Sequence, residues 1–364
     1  MSSNPAPDTP PVRRATARVA GSLGDRLFTA TPLPPFAVGA LLAAALLAAL
    51  VIAAFAAGRG EAIRELGPAG LYLDRDARTV VLLVVLLAYV VTARRYVAMG
   101  ARAAFDALAP VLDASAATPA ERERVSHPES ASSVRRRRMA GALLVVPLVA
   151  LAIDRDPGFY LRRDYWSFEH LTQWISGFVL CANLGLLADA SIVCAQRFDA
   201  LARRRARVDL LDLDGLGPFA WVGMRIALVW LLLVAIFALN LVDVGYWVSF
   251  AGLGVASLAI AGATFVRPLL GVRERVRREK QAELARVSRA LRGELHALDG
   301  SPLAARASAV SVADLLAYRT FVAERPEWPF DAPTLLRLLA YVAIPVGSWV
   351  GGAFVERLLA ATLE

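Results

Sequence analysis

Two ionisable residues, Asp189 and Arg225, lie within long apolar runs of the sequence. A charge placed there is costly unless it is paired or reaches water, so such residues are candidates for function. Asp189 stands about 6 Å, and Arg225 about 9 Å, inside the same end of neighbouring apolar segments at 1.5 Å per helical residue. Their matched depth predicts an ion pair between adjacent helices; the alternative is that each side chain reaches water on its own. Asn183 and Asn240 lie in the same kind of segment and are expected to bond to a neighbouring helix. Asp164, Glu169 and His170 form an acid/base combination, but Trp166 and Phe168 beside them mark an aromatic belt at a membrane surface.

No other grouping offers chemistry. Cys181 and Cys194 share one apolar segment, and thirteen residues of helix separate them by about 20 Å, too far for a disulfide. His127, His170 and His296 are scattered, and no C-x-x-C, H-E-x-x-H, G-x-S-x-G or phosphate loop occurs. The sequence therefore predicts no catalytic residues, no metal site and no cofactor.

The elements that position these residues follow from composition. Of 364 residues 57% are hydrophobic, and the mean hydropathy is +0.52, above the range of an ordinary soluble domain. Seven apolar segments occur, at 36–57, 79–93, 139–153, 171–193, 219–242, 246–266 and 335–355, most of them close to the ~20 residues a bilayer requires. The fold class expected is all-α, a polytopic membrane protein of about seven transmembrane helices with a cytoplasmic helical extension.

The formal charge of +8 comes from 39 arginines and one lysine, Lys280. With the N-terminus inside and all seven segments crossing, 30 basic residues fall on the cytoplasmic side and eight on the other. Positive charge in short loops resists translocation, which fixes this orientation. The third segment is short and contains Pro147, yet leaving it uncrossed would move the 203–207 RRRAR run and all of 267–325 outside. The basic balance is therefore topology, and a nucleic-acid partner is not expected. The implied partners are a bilayer with anionic inner-leaflet lipids and either a second copy of the chain or a cytoplasmic protein.

The expected organisation is a disordered cytoplasmic tail at 1–35, six membrane helices within 36–266 and a flexible linker at 113–134. A cytoplasmic helical segment at 267–332 and a last span with a short C-terminus at 333–364 complete it. FDAL occurs at 105–108 and again at 198–201, and YLDRD at 72–76 is echoed by YLRRD at 160–164. These matches suggest two related hairpins in parallel orientation. Gly252, Gly254, Ala259 and Gly262 suggest close helix packing in the sixth span.

The charged stretch after Pro268 predicts a helix over 272–298 about 40 Å long. Its seam is Leu284, Val287, Leu291, Leu295 and Leu298, spaced for packing against one partner. That partner is either this chain's own helical extensions after spans two and four or, as a coiled coil, a second subunit; the regular heptads are too few to favour the coil. Ser311 and Asp314 predict a capped helix ending at Pro326, with Val312, Leu315, Leu316 and Val322 on an exposed face.

PLLGVRERVRREKQAEL at 268–284, with Pro268, Gly271, Glu279, Lys280, Glu283 and Leu284, resembles a segment that recurs after a late span in a group of uncharacterised prokaryotic multi-pass membrane proteins. EWPFD, with Trp328 and Pro329, and the following IPVGSWVGG, with Pro345, are similar to their C-terminal end. The resemblance is confined to the C-terminal third. It implies a membrane protein and supplies no activity. The function expected is a non-enzymatic membrane scaffold or signalling component acting through the charged cytoplasmic helix; a small-solute or ion transporter or channel is the second reading.

Overall fold

The structure is a computed structural model, and it describes residues 33–56, 58, 75–126, 139–140, 168–238, 247–304, 310–328 and 340. The described residues are helical: α1 (Pro35–Ala56), α2 (Arg75–Leu108), α3 (Pro119–Ser126), α4 (Phe168–Arg205), α5 (Gly217–Ala238), α6 (Trp247–Ala290) and α7 (Val312–Glu324). Five of them, α1, α2, α4, α5 and α6, are long and apolar enough to cross a membrane. The expected third and seventh spans lie almost wholly outside the described residues, as do Asn240, His127, the YLRRD segment and the first three residues of YLDRD.

α2, α4, α5 and α6 pack into a bundle, with α1 laid on α2. Hydrogen bonds tie α5 to α2 and to α4 within the apolar zone: Tyr89 Oη donates to the Val229 carbonyl at 2.6 Å, and Trp230 Nε1 to Ser191 Oγ at 3.1 Å. Such bonds add directional links between apolar helices.

At one end α2, α4 and α6 continue beyond their apolar stretches into a polar layer. The two FDAL motifs meet there: Phe105, Leu108, Phe198 and Leu201 are all buried in one core. Immediately beyond them the two chain segments form an antiparallel bridge between Leu112 and Ala206. The Asp113 amide donates to the Arg205 carbonyl at 2.9 Å and the Arg207 amide to the Val111 carbonyl at 2.8 Å. The ends of α2 and α4 are thereby tied together just beyond the two motifs.

The segment 113–134, expected to be a flexible linker, contains an ordered helix, α3, over 119–126. Thr118 Oγ1 accepts from the Glu121 amide at 3.2 Å as an N-cap, with Pro119 at the first helical position. Val125 and Ala116 are buried. Arg122 grips Asp106 on α2 through two bonds of 2.6 Å, and this partner holds the Asp106 carboxyl below its ordinary range. Arg197 of α4 donates to the Arg124 carbonyl.

A second correction concerns α6. Instead of a span followed by a separate charged helix to residue 298, one helix of 44 residues runs through Pro268, about 66 Å at 1.5 Å per residue. An internal proline removes one hydrogen bond and costs about 3 kcal/mol. The buried stripe Ala261, Phe265, Leu269, Val272, Val276, Glu283, Val287 and Ala290 continues at helical spacing on both sides of it. Burying Leu269, Val272 and Val276 in the polar layer contributes about 1.5–3 kcal/mol per side chain, more in total than the proline costs. The helix ends early because Gly293 adopts φ 98°. Its amide donates to the Ala290 carbonyl and the Glu294 amide to the Arg289 carbonyl, a Schellman termination.

Candidate functional site

The polar layer is where the distinctive sequence gathers. Beyond Gly293 the chain makes a short 3-10 turn, Leu295–Leu298, and returns along α6 as α7, so the seam packs within the subunit. Val287, Ala290, Leu298 and Leu315 form a small core with Leu291 and Tyr318 against it. Leu284 joins the main core, while Leu295 is exposed. The expected Ser311–Asp314 capping box starts α7, the Asp314 amide donating to Ser311 Oγ at 3.2 Å and the Ser311 amide to Asp314 Oδ2 at 3.1 Å. Of the four apolar residues expected on its exposed face, Val312 and Leu316 are exposed but Leu315 and Val322 are buried, because the face they share meets α6.

The two segments that carry the resemblance, 268–284 and 327–328, meet in space. The Arg273 guanidinium lies 4.9 Å from the centroid of the Trp328 ring, and its Nε is 3.6 Å from Glu327. Lys280 Nζ donates to the Arg325 carbonyl at 2.8 Å. That carbonyl belongs to the residue capping the C-terminal end of α7, where the helix dipole favours a cation. Arg325 reaches on, stacking on Phe321 at 4.4 Å and donating to the Leu211 carbonyl at 3.1 Å. Arg275 donates to the Ala206 carbonyl at 3.1 Å and pairs with Glu279 at 3.0 Å. The segment joining α4 to α5 is thereby fastened to both α6 and α7. Pro329 and Pro345 lie outside the described residues.

Glu283 is the centre of the joint. Its side chain is 2% exposed and accepts from Arg286 Nη1 at 2.7 Å, from Ser301 Oγ and from Tyr318 Oη at 3.3 Å. A buried carboxylate must have such partners, since each unmet bond would leave part of its desolvation uncompensated. Burial, with the Glu283 carboxylate beside it, pushes the Tyr318 phenol up to about 12 from 10.0. The folded value lies above the unfolded one, so the phenol's contribution to docking α7 is complete below pH 10 and is lost as pH rises toward 12. The difference in tyrosinate absorbance between the wild type and Tyr318→Phe is expected to titrate with a midpoint near 12; a midpoint near 10 would place the phenol in water.

Close helix approach occurs at glycines other than those expected. A Cβ on Gly271 would stand 2.8 Å from the backbone oxygen of Asp199 and 3.2 Å from Ala202 Cβ, so α4 and α6 touch there. A Cβ on Gly223 would stand 2.8 Å from the Phe265 carbonyl oxygen, so α5 and α6 touch as well. Gly252, Gly254 and Gly262 have nothing within 4 Å of such an atom among the described residues. Among the described residues no helix packs against the small-residue run of the sixth span at these glycines.

The structure does not bring Arg225 to Asp189. Arg225 turns toward α2, its guanidinium 4.7 Å from the Tyr96 ring centroid and its side chain in the space left by Gly100. Asn183 bonds within its own helix, to the Val179 carbonyl at 2.7 Å, instead of to a neighbour. Among the described residues no group of histidine, cysteine and carboxylate side chains could hold a metal ion. The groups of the joint bond to one another and tie α6, α7 and the α4–α5 segment together. No family model, no curated protein and no solved structure matches the chain.

Proposed function

We propose that the chain is an integral protein of the cell membrane, crossing it seven times with its N-terminus in the cytoplasm, and acts as a non-enzymatic scaffold or signalling component through its polar layer. The arginine asymmetry supports the orientation. The role rests on one observation: α6 is continuous from its apolar half to its charged tip. Displacement of the helix within the bundle is then transmitted directly to a cytoplasmic surface formed by Arg277, Gln281 and Arg289, all exposed.

Photo-crosslinking in cells tests this. A photoreactive residue at Gln281 or Arg289 is expected to give a discrete protein adduct, whereas one at Ile175, 55% exposed on the apolar bundle, is expected to give none. Absence of any protein adduct from the α6 tip would contradict the proposed role.

A further inference from the structure

Arg225 lies eight residues inside α5 from Gly217 at its polar end, within an apolar segment, and among the described residues it makes no ion pair. Side chains on a helix lean toward its N-terminus, so Arg225 is drawn back toward the polar end, to the level of Trp221 one turn away on the same face. Trp221 is 63% exposed, as expected of a residue at a membrane interface. The guanidinium is not loose: Tyr96 lies against it, and the Phe36 ring, 47% exposed, stands 5.2 Å from Tyr96. Phe36, Tyr96 and Arg225 thus make a row across α1, α2 and α5. α6 runs antiparallel to α5 with Phe265 beside Gly223, which brings the exposed Arg267 to the depth of Trp221.

This geometry points to a bound anionic phospholipid of the inner leaflet, whose phosphodiester accepts from the Arg225 guanidinium. A planar guanidinium donates two parallel bonds to phosphate, and the ring face of Tyr96 fixes its plane. Arg225 and the exposed Arg267 at its depth select a lipid of net negative charge, because a zwitterionic headgroup would bring its own cation against them. Phe36 and Trp221 flank the glycerol region, where aromatic rings are favoured.

The inference rests on the membrane placement proposed above, which recovery of the full-length chain in the membrane fraction checks separately. Native mass spectrometry of that chain in detergent, with phosphatidylglycerol, phosphatidylcholine or inorganic phosphate added, tests the site. The wild type is expected to retain phosphatidylglycerol in preference to phosphatidylcholine. Arg225→Gln is expected to lower that retention about fivefold, the effect of one arginine near a headgroup. Tyr96→Leu is the second variant should Arg225→Gln fail to fold, and it is expected to weaken retention in the same direction. Millimolar inorganic phosphate is expected to leave the lipid bound. Equal retention of the two lipids, undiminished retention by both variants, or release of the lipid by inorganic phosphate would overturn the assignment, the last by making this a free-phosphate or adventitious ion site.

Discussion

Gly271→Leu is expected to lower the thermal midpoint of the detergent-solubilised protein by several degrees, and Gly252→Leu to leave it unchanged or slightly raised. The two substitutions are alike in local terms, since both replace a glycine inside α6 with a good helix former and gain up to about 1 kcal/mol in propensity. They differ in what the new side chain meets. At Gly271 it meets the backbone oxygen of Asp199, which cannot rotate away, and Ala202. α4 and α6 would have to separate, loosening Leu269 and Val272 from a core that includes Phe198 and Leu201. Overpacking of this kind costs about 3 kcal/mol or more where backbone must move, and the clash outweighs the propensity gain. At Gly252 only open space is met among the described residues. If the two variants melt alike, the close approach of α4 to α6 is wrong.

Glu283→Ala is expected to release α7 while the apolar bundle stays folded. The substitution strips acceptors from Ser301 and Tyr318 and leaves Arg286 without its carboxylate. Arg286 is 29% exposed and regains water, so the full penalty of a stranded buried charge does not apply; the loss is about 2–3 kcal/mol. Glu283→Gln keeps the volume and one acceptor oxygen, and is expected to fall between alanine and the wild type. Hydrogen exchange reads the difference. In Glu283→Ala the amides of 295–304 and 312–324 should exchange faster, with those of 219–237 unchanged. Equal protection in both segments would remove Glu283 from the centre of the joint.

Much of this architecture was legible in the sequence because it is written locally. Apolar runs of sufficient length announced α1, α2, α4, α5 and α6, and Ser311 with Asp314 announced the start of α7. The signal for α3 was equally local and was outweighed by composition: Thr118, Pro119 and Glu121 are an N-cap, a first-turn proline and an acidic first turn, set in a segment whose polarity suggested a linker.

What was not legible depended on faces meeting in space. Pro268 reads as a boundary, and only the burial of Phe265, Leu269 and Val272 around it shows why the helix continues. Gly252, Gly254 and Gly262 look like a packing stripe, yet among the described residues α6 meets its neighbours at Gly271 and beside Gly223; a glycine's role depends on the helix it faces, which spacing along the sequence does not specify. Arg225 and Asp189 were matched by depth, but depth says nothing of azimuth, and Arg225 points at Tyr96. Glu283 stands among alternating charges in the sequence, and its burial arises only when the chain turns at Gly293 and brings Ser301 and Tyr318 back upon it.

The central claim is that α6 carries its charged half into the cell interior. A single cysteine introduced at the exposed Gln281, with Cys181 and Cys194 replaced by alanine, tests it directly through a membrane-impermeant maleimide. The prediction is no labelling in intact cells and full labelling after the membrane is permeabilised. Labelling of intact cells would put the polar layer on the outer face and contradict the account.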